Sequence, residues 1–323
     1  MTAHPRLLII GPTPPPFHGV AMVVRTLLDS TISDSFEVSH LELADRRGIG
    51  HVNKPDLHDV LLFGRQWVRL LWLLIRRRPT IVYFVLSQST IGVLRDSFFL
   101  WPARLFGAKV VAHLHGAAFH DWHVSRGFPM RLYTRLLMRT VARAIVLGES
   151  LREQFQGLVA PERIVVVPNG IPDCGVGCIG TPRLRRRWQV LYLNTLNKMK
   201  GALVLLEAIT LVTQRRTDVE FVFAGPWSHD EHRMEAETYI AQQGIGSSLT
   251  FTGQVSGAQK TALLHTADLF VFPGIQQEGQ PLVVLHQLGV CQHRDIKPTV
   301  WTRTCLRTVR PRAALVVPPR KRR

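Results

Sequence analysis

The sequence is poor in cysteine, which limits its chemistry and the compartment it suits. Its 323 residues include four cysteines without regular spacing. This excludes a disulfide framework and favours a reducing compartment. Cys174 and Cys178 have the separation of two metal ligands, but no second pair with histidine spacing follows them. We therefore expect no metal there.

Long apolar runs free of charge are also lacking. The first run, 7–10, is too short for the core of a signal peptide, and no small-residue cleavage site is obvious. The most apolar later stretch, 60–75, contains Arg65 and Arg69, so we do not predict a membrane span. It is typical of an amphipathic helix. With 46% hydrophobic residues the chain can still build real cores, and we expect a soluble, cytoplasmic globular protein.

Acidic residues are scarce relative to basic ones, and the excess is uneven. The net charge is +17, and the last 38 residues contain ten Lys or Arg and one Asp. A basic chain can bind nucleic acid, anionic lipid or an acidic substrate. The sequence has no aromatic interleaving and no recognition module, so nucleic acid is the least expected of these partners.

The loop after the first predicted strand lacks the GxGxxG pattern, so it does not indicate a dinucleotide-binding site. It extends from Gly11 to Gly19, contains four prolines, and lies between a predicted strand, 6–10, and a predicted helix, 20–28. A strand, a glycine-bearing loop and a helix, in this order, form the first unit of one half of a nucleotide-binding fold. Gly19 would let a ligand approach the backbone closely, and a plain turn is the alternative.

Strands and helices alternate along both halves of the chain, which predicts parallel sheets covered on both faces. Further strands are predicted at 36–43, 80–86, 109–114, 144–147, 164–167, 189–193, 219–224, 248–252 and 268–272. Further helices are predicted at 56–78, 90–106, 130–139, 150–156, 202–213, 231–243 and 258–266. The fold class is therefore α/β, with two Rossmann-like doubly wound domains, 1–172 and 188–285. A Gly-, Pro- and Arg-rich linker, 173–187, joins them, and a cleft between them is the expected site.

Four histidines fall within eleven residues around the end of the predicted strand 109–114. They are His113, His115, His120 and His123. Zinc is one alternative, but no Cys or acidic partner has a fixed spacing. His115, followed by Gly116, lies where ligands bind in open α/β sheets, and its imidazole could hydrogen-bond a substrate hydroxyl. A solvated loop histidine is the other alternative.

The stretch from Phe272 to Leu285 predicts a strand, a glycine-bearing turn and a helix with Pro281 at its first turn. The amides at such a helix start are unsatisfied and carry the positive end of the helix dipole. The turn is therefore suited to an anion, with the carboxylate of Glu278 beside it.

In this order and spacing, five motifs resemble those of family 4 glycosyltransferases with the GT-B fold. The resemblance covers about residues 5–285. The motifs are the first loop with His18-Gly19 in place of a double glycine, His115-Gly116, Pro168-Asn169-Gly170, Lys200-Gly201, and the donor loop 272–285.

The resemblance implies retaining transfer of a sugar from a nucleotide-sugar to a hydroxyl acceptor, such as a cell-surface glycan or lipid-linked saccharide. No metal or other cofactor is implied. Glu278 would hydrogen-bond the donor sugar, and Lys200 would neutralise leaving-group charge. His115, with His18 and Gly19 of the first loop, would face the acceptor and the transferred sugar. The donor diphosphate would be held at Gly279, Gln280, Pro281 and Leu282.

The chain departs from the family pattern at His286, which replaces the second glutamate of the donor loop. Asn194 and Thr195 replace the usual basic partner of the lysine. Beyond 286 we find no family pattern, and 291–295 shows no helical or strand period. We expect a frame-shifted or truncated C-terminus with a basic tail, 286–323. The second domain would then be incomplete, and strand 268–272 would have an open edge.

Two alternatives to an active enzyme follow. One is a catalytically inactive glycosyltransferase-like protein, and the other is a basic protein that binds nucleic acid or membrane. The helix 60–78 could also dock an active enzyme onto the inner face of an anionic membrane. An ordinary helix packed on the first sheet is the alternative to such docking.

Overall fold

The structure is a computed structural model that describes residues 4–15, 17–43, 57–171, 187–293 and 300–302. The chain divides into two compact units. The first comprises Met1–Gly170 together with Glu278–Gln280, and the second comprises Ile171–Gln277 and Pro281–Arg323. The predicted linker at 173–187 lies outside the described residues, apart from Arg187.

The first unit contains a six-stranded parallel sheet in the order β2-β1-β3-β4-β5-β6. Its strands are β1 (Arg6–Gly11), β2 (Glu37–Glu42), β3 (Ile81–Val85), β4 (Lys109–His113), β5 (Val141–Val146) and β6 (Ile164–Val166). The central strands are buried on both faces, as their continuous apolar runs predict. In β1, Leu8 and Ile10 enter one core cluster, whereas Leu7 and Ile9 enter another.

Five α-helices lie in the described part of this unit, and four of them match the sequence prediction closely. They are α1 (Gly19–Leu28), α2 (Leu57–Arg77), α3 (Thr90–Leu105), α4 (Phe119–Val124) and α5 (Phe128–Met138). The helix predicted at 150–156 is instead a 3-10 helix, Glu149–Phe155. Two shorter 3-10 helices lie at Thr31–Asp34 and Pro161–Arg163.

The helix α4 was not predicted, and its start explains why. The backbone N–H groups of Phe119 and His120 both donate to the side-chain oxygen of Gln154, at 2.9 and 3.2 Å. The cap therefore comes from a residue about 35 positions away, and no local capping residue marks the start.

The long helix α2 is amphipathic, as predicted. Its buried side includes Leu70, Leu73 and Leu74, which join the core of the first unit. Among the described helices, none is both long and apolar enough to cross a membrane.

The second unit contains a five-stranded parallel sheet in the order β11-β10-β7-β8-β9. Its strands are β7 (Trp188–Leu193), β8 (Val219–Ala224), β9 (Leu249–Gly253), β10 (Leu269–Phe272) and β11 (Val300–Thr302). Its helices are α6 (Ala202–Thr213), α7 (Asp230–Gln243), α8 (Gly257–Thr266) and α9 (Leu282–His293), and a 3-10 turn lies at Gly246–Ser248.

Two expectations for the region after 285 are wrong. The helix α9 continues to His293, although Cys291–His293 showed no helical period in the sequence. A helix that has begun propagates cheaply, and a single interior glycine such as Gly289 weakens it without ending it. Strand β10 does not have an open edge, because β11 pairs with it in parallel through Phe270, Val271 and Phe272. Residues 303–323 lie outside the described part of the chain.

Candidate functional site

The strand order of each sheet shows between which two strands the ligand-binding crevice of that unit lies. Strand order reverses between β1 and β3 in the first unit and between β7 and β10 in the second. In open parallel sheets, ligands bind beyond the carboxyl ends of strands at such switch points. The predicted site residues lie in the loops that follow β1, β4, β7 and β10, or in the helices that begin directly after these loops.

In the second unit, the turn after β7 fixes the backbone of Lys200. The hydroxyl of Tyr192 donates to the Lys200 carbonyl at 3.0 Å, and the Lys200 N–H donates to Asn197 Oδ1 at 2.7 Å. Gly201 follows with φ 84°, a left-handed conformation that favours glycine. The lysine is therefore presented from a fixed turn directly before α6.

This turn is bonded to the start of the donor loop, so the structure brings two of the predicted motifs together. The N–H groups of Ile275 and Gln276 both donate to the Met199 carbonyl, at 2.9 and 3.2 Å. A Cβ at Gly201 would overlap the carbonyl of Pro273. Glycine is thus required at 201 both by its φ and by the close approach of the other loop.

The helix α9 begins at Leu282, directly after Pro281, as the sequence predicts. Its first turn contains no acidic side chain that would occupy the N-terminal amides. An anion at this position would meet the positive end of a twelve-residue helix. Pro281 and Leu282 therefore lie where a diphosphate could be held.

His286 lies on the second turn of α9 and is partly buried. Burial, with a smaller effect from the positive charge of Lys260, lowers the pKa of His286 to about 4. The side chain is therefore neutral at pH 7, with one ring nitrogen that donates and one that accepts.

Three residues of the donor loop, Glu278, Gly279 and Gln280, belong to the first unit. Glu278 forms an antiparallel bridge with Gly116. Gly279 is buried, and a Cβ there would overlap the carbonyl of His115. The donor-loop glycine and the His115-Gly116 motif are therefore packed backbone to backbone.

Gln280 connects the donor loop to the Pro-Asn-Gly turn. The N–H of Asn169 donates to the Gln280 side-chain oxygen at 2.6 Å, and Asn169 Nδ2 donates to the Gln280 carbonyl at 2.9 Å. The sequence identified both motifs but gave no sign that they pair.

His115 stands at the carboxyl end of β4 with its ring largely shielded from water. Burial lowers the pKa of His115 to about 4, so it is neutral at pH 7. Its Nε2 is buried and has no hydrogen-bond partner within the described part of the chain. Such a nitrogen is suited to a hydroxyl brought by a ligand.

Gln88 is a residue that the sequence analysis missed. Its side-chain oxygen accepts from the N–H of Ala118 at 3.0 Å. Its amide nitrogen occupies the space that a Cβ at Gly116 would need. Gln88 thereby supports the loop behind His115, and no local motif marks it in the sequence.

His18 caps α1 in the first unit, since its Nδ1 accepts from the Ala21 N–H at 3.3 Å. Burial lowers the pKa of His18, and the nearby Glu42 carboxylate opposes that shift. The same Glu42 accepts hydrogen bonds from the N–H and hydroxyl of Thr13, which ties the first loop to the end of β2. A Cβ at Gly19 would meet no atom within 4 Å.

The histidine cluster does not form a metal site in the described residues. No group of three or more His, Cys, Asp or Glu side chains there could hold an ion. His113 and His115 instead stack with ring centroids 4.0 Å apart. Cys174 and Cys178 lie outside the described residues.

Two family models match the chain, one on each half. Residues 18–170 match a glycosyl transferase 4-like domain. Residues 182–288 match the glycosyl transferases group 1. The order of the two matches agrees with the order of the motifs along the chain.

Curated relatives share part of this sequence. A GDP-mannose:cellobiosyl-diphosphopolyprenol alpha-mannosyltransferase from Xanthomonas campestris is 27% identical over 174 residues, 52% of this chain and 44% of the relative. A phosphatidyl-myo-inositol mannosyltransferase from Mycolicibacterium smegmatis is 30% identical over 130 residues, 39% of this chain and 32% of the relative. The matched parts thus span less than half the length of each relative.

Solved structures share the fold. Anabaena HepE in complex with UDP and glucose has a TM-score of 0.61 and 13% identity, covering 88% of this chain and 78% of that one. A sucrose-phosphate synthase from Thermosynechococcus elongatus has a TM-score of 0.68 and 12% identity, covering 93% and 86%. The chain therefore carries a glycosyl transferase 4-like domain followed by a group 1 glycosyl transferase domain, and its two parallel α/β units share the GT-B fold of these neighbours.

Proposed function

We propose that this protein transfers a sugar from a nucleotide-sugar to a hydroxyl acceptor with retention of anomeric configuration. The observation that carries the proposal is the junction in the second unit between the Lys200 turn and the donor loop. Two backbone hydrogen bonds to Met199 place a lysine turn beside the loop that leads into α9. A cation beside the N-terminus of a helix suits a diphosphate.

Each site residue then has a role that its environment supports. The α9 amides at Leu282 and the ammonium of Lys200 bind the diphosphate and stabilise the charge that develops on the leaving group. Glu278 accepts hydrogen bonds from hydroxyls of the donor sugar. His286, neutral because its pKa is lowered to about 4, exchanges hydrogen bonds with ribose hydroxyls in place of a carboxylate.

The acceptor side is assigned to the first unit. His115 is neutral at pH 7 and its Nε2 has no partner in the described residues, so it can hydrogen-bond a sugar hydroxyl. Gly19 adds no side chain at the start of α1, which leaves room for an approaching ligand. His18 is engaged as a helix cap, so its role is to hold this loop in place.

Release of nucleotide from a panel of nucleotide-sugars tests the proposal. UDP- and GDP-sugars come first, because the neighbour HepE is described with UDP and the Xanthomonas relative is named for GDP-mannose. Glu278→Gln should abolish release, whereas Glu162→Gln, an exposed carboxylate of the same unit, should leave it unchanged. Nucleotide binding without release from any donor would favour the inactive alternative.

Retention and metal independence have separate tests. The coupling of the anomeric proton in the NMR spectrum of the product reports whether configuration is kept. We propose that Lys200 and the α9 amides neutralise the diphosphate without a divalent ion. Activity should therefore survive EDTA, and loss of activity that Mg²⁺ or Mn²⁺ restores would contradict this part of the proposal.

We propose further that α2 docks the protein on an anionic membrane surface that carries lipid-linked acceptors. Its outer side bears a row of exposed apolar residues at helical spacing. These are Leu57, Leu61, Val68, Trp72 and Ile75. Exposed arginines flank that row at 65, 69 and 76. An apolar row with a basic border suits the headgroup region of anionic lipid.

Co-sedimentation with vesicles at low salt tests the docking. Phosphatidylglycerol vesicles should retain the protein, and phosphatidylcholine vesicles should retain much less. Changing Arg65 and Arg69 together to Gln should weaken retention, whereas the same change at Arg104 of α3 should have little effect. Equal retention by both vesicle types, or by neither, would contradict the proposal.

A further inference from the structure

A buried tyrosine–histidine pair lies directly beneath His115. Tyr83 of β3 and His113 of β4 are nearly inaccessible, at 7% and 5% exposure. The hydroxyl of Tyr83 and Nδ1 of His113 are 2.6 Å apart, a short and strong hydrogen bond. Their rings meet edge to face with centroids 5.7 Å apart.

The direction of this hydrogen bond follows from the burial of the phenol. Burial raises the pKa of Tyr83, so the hydroxyl keeps its proton. Its one hydrogen-bond partner among the described residues is His113. Donation from the hydroxyl to Nδ1 satisfies the phenol, whereas the reverse would leave its buried proton unpaired. His113 therefore carries its own proton on Nε2.

The ring of His113 forms a platform for the ring of His115. The two centroids are 4.0 Å apart and the planes are inclined by 31°. Burial, together with the charge that His115 would carry, lowers the pKa of His113 to about 2. Two neutral imidazoles can stack at this distance, whereas two imidazolium ions would repel each other.

A core position gains little from such a histidine. The Nε2 of His113 is buried without a hydrogen-bond partner in the described residues. An unpaired buried polar atom costs stability that an apolar side chain would not. Residues that break a packing rule in this way are candidates for a functional role.

We propose that Tyr83 and His113 are positioning residues for His115: the phenol fixes the His113 ring, and that ring fixes the ring that meets the substrate. This inference rests on the proposed function only through the role of His115. In this proposal, neither Tyr83 nor His113 touches the substrate. The pair acts by fixing the orientation of the His115 ring at the moment of transfer.

The test uses a pair of variants of the full chain. Tyr83→Phe removes the hydroxyl and leaves Nδ1 of His113 unpaired, so the platform ring loses its fixed orientation. The kcat for sugar transfer should fall about tenfold, with little change in KM for the donor. Tyr83→Phe combined with His113→Phe removes both polar partners and keeps a flat ring. It should restore kcat to within about threefold of the unchanged protein.

A readout independent of activity separates this inference from the proposed function. In protein labelled with ¹⁵N-histidine, the ring nitrogens of His115 should shift in Tyr83→Phe and return towards their original positions in the double variant. The spectra also show that each variant is folded. His115→Ala tests the proposed function, since full activity in that variant would remove the role of His115 in transfer.

The outcomes are therefore distinct. Unmoved His115 signals in Tyr83→Phe would overturn the positioning role, whether or not the chain is active. A double variant whose His115 signals stay displaced would overturn it as well, because the displacement in Tyr83→Phe would then not come from the unpaired, loosened ring of His113. Displaced signals in Tyr83→Phe that the double variant restores would establish it, even if His115→Ala retains activity.

Discussion

The two units hold their site residues by different means. In the second unit, the bonds that hold the Lys200 turn meet its backbone groups: the Met199 carbonyl accepts from two N–H groups of the donor loop, the Lys200 carbonyl accepts from the Tyr192 hydroxyl, and Gly201 is left-handed. In the first unit, side chains from separate parts of the chain support the site residues, as Gln88, Tyr83 and Asn169 show. The site residues of the second unit therefore depend on loop conformation, and those of the first unit on packing.

The difference predicts how each half responds to mutation. The turn in the second unit should tolerate side-chain changes except at Lys200, at Gly201, and at Tyr192 and Asn197, whose side chains bond its backbone. The site residues of the first unit are supported by side chains, so activity should fall gradually as each supporting contact is removed. Four measurements, ordered from the largest expected effect to the smallest, can break or sharpen this comparison.

Lys200→Met should give the largest loss, about 10²–10³-fold in kcat, because it removes a cation where negative charge develops. The fold should be unaffected, since the bonds from Tyr192 and Asn197 meet the carbonyl and N–H of Lys200, which the substitution keeps. Steady-state transfer assays and thermal unfolding measure the two effects. Lys109→Met, an exposed lysine at the opposite end of β4, is the matched control. A full-rate Lys200→Met variant would disprove the role of the cation.

Gly279→Ala should reduce activity about ten- to a hundredfold, since a Cβ there overlaps the His115 carbonyl and the segment must shift. The α5 cap residue Gly127 offers a control, because a Cβ there meets only Pro129 Cδ, at 3.8 Å. Activity of Gly127→Ala should be unchanged. Equal rates for both variants would show that the backbone contact between Gly279 and His115 is unimportant.

Stability should fall on acidification below about pH 6 through buried histidines in both units. The pKa of His115 and of His286 is about 4, below the usual 6.5, so the unfolded chain takes up protons first as pH falls. The free energy of unfolding therefore rises with pH through this window, by about 1 kcal/mol per pH unit for each histidine.

Urea unfolding at pH 6 and pH 5 measures this loss. Changing His115 or His286 to Gln should each remove part of the pH dependence, one in each unit. His58→Gln, which replaces an exposed histidine, is the control. The buried His113 contributes in every variant, so part of the pH dependence remains. A pH dependence as steep in the His115 and His286 variants as in the unchanged protein would contradict the burial of these rings.

The smallest expected effect concerns the contact between Asn169 and Gln280. Asn169→Ala removes the Nδ2 hydrogen bond and leaves the backbone one, which should cost about 1 kcal/mol. Gln280→Ala removes the other hydrogen bond, in which the Asn169 N–H donates to the Gln280 side-chain oxygen. If the two hydrogen bonds support each other, the double variant should be less harmful than the sum of the single ones. Strict additivity of the unfolding free energies would show independent roles.

The alternation of strands and helices was predictable because buried parallel strands carry continuous apolar runs with glycine or proline between elements. The loops around His115, Lys200 and Glu278 were predictable because each follows a strand and has a recognisable motif. Contacts between loops were not, because they join residues far apart in sequence. The pairing of Gly116 with Glu278 and the cap of α4 by Gln154 are two such cases.

The region after residue 285 shows the limit of pattern reading most clearly. Its composition breaks the family pattern, yet α9 continues to His293 and β11 pairs with β10. Helix propagation and backbone pairing need little from side chains, so both can persist where the motif has ended.

Gly19 has a consequence for measurement. A Cβ at this position meets no atom within 4 Å, so a series of side chains of increasing size can begin from alanine without a clash at the Cβ. Variants with alanine, serine, valine or leucine at residue 19 would then vary the side-chain size in steps. The size at which acceptor affinity falls while folding is unchanged would give the clearance, in ångströms, between this helix start and whatever binds beside it.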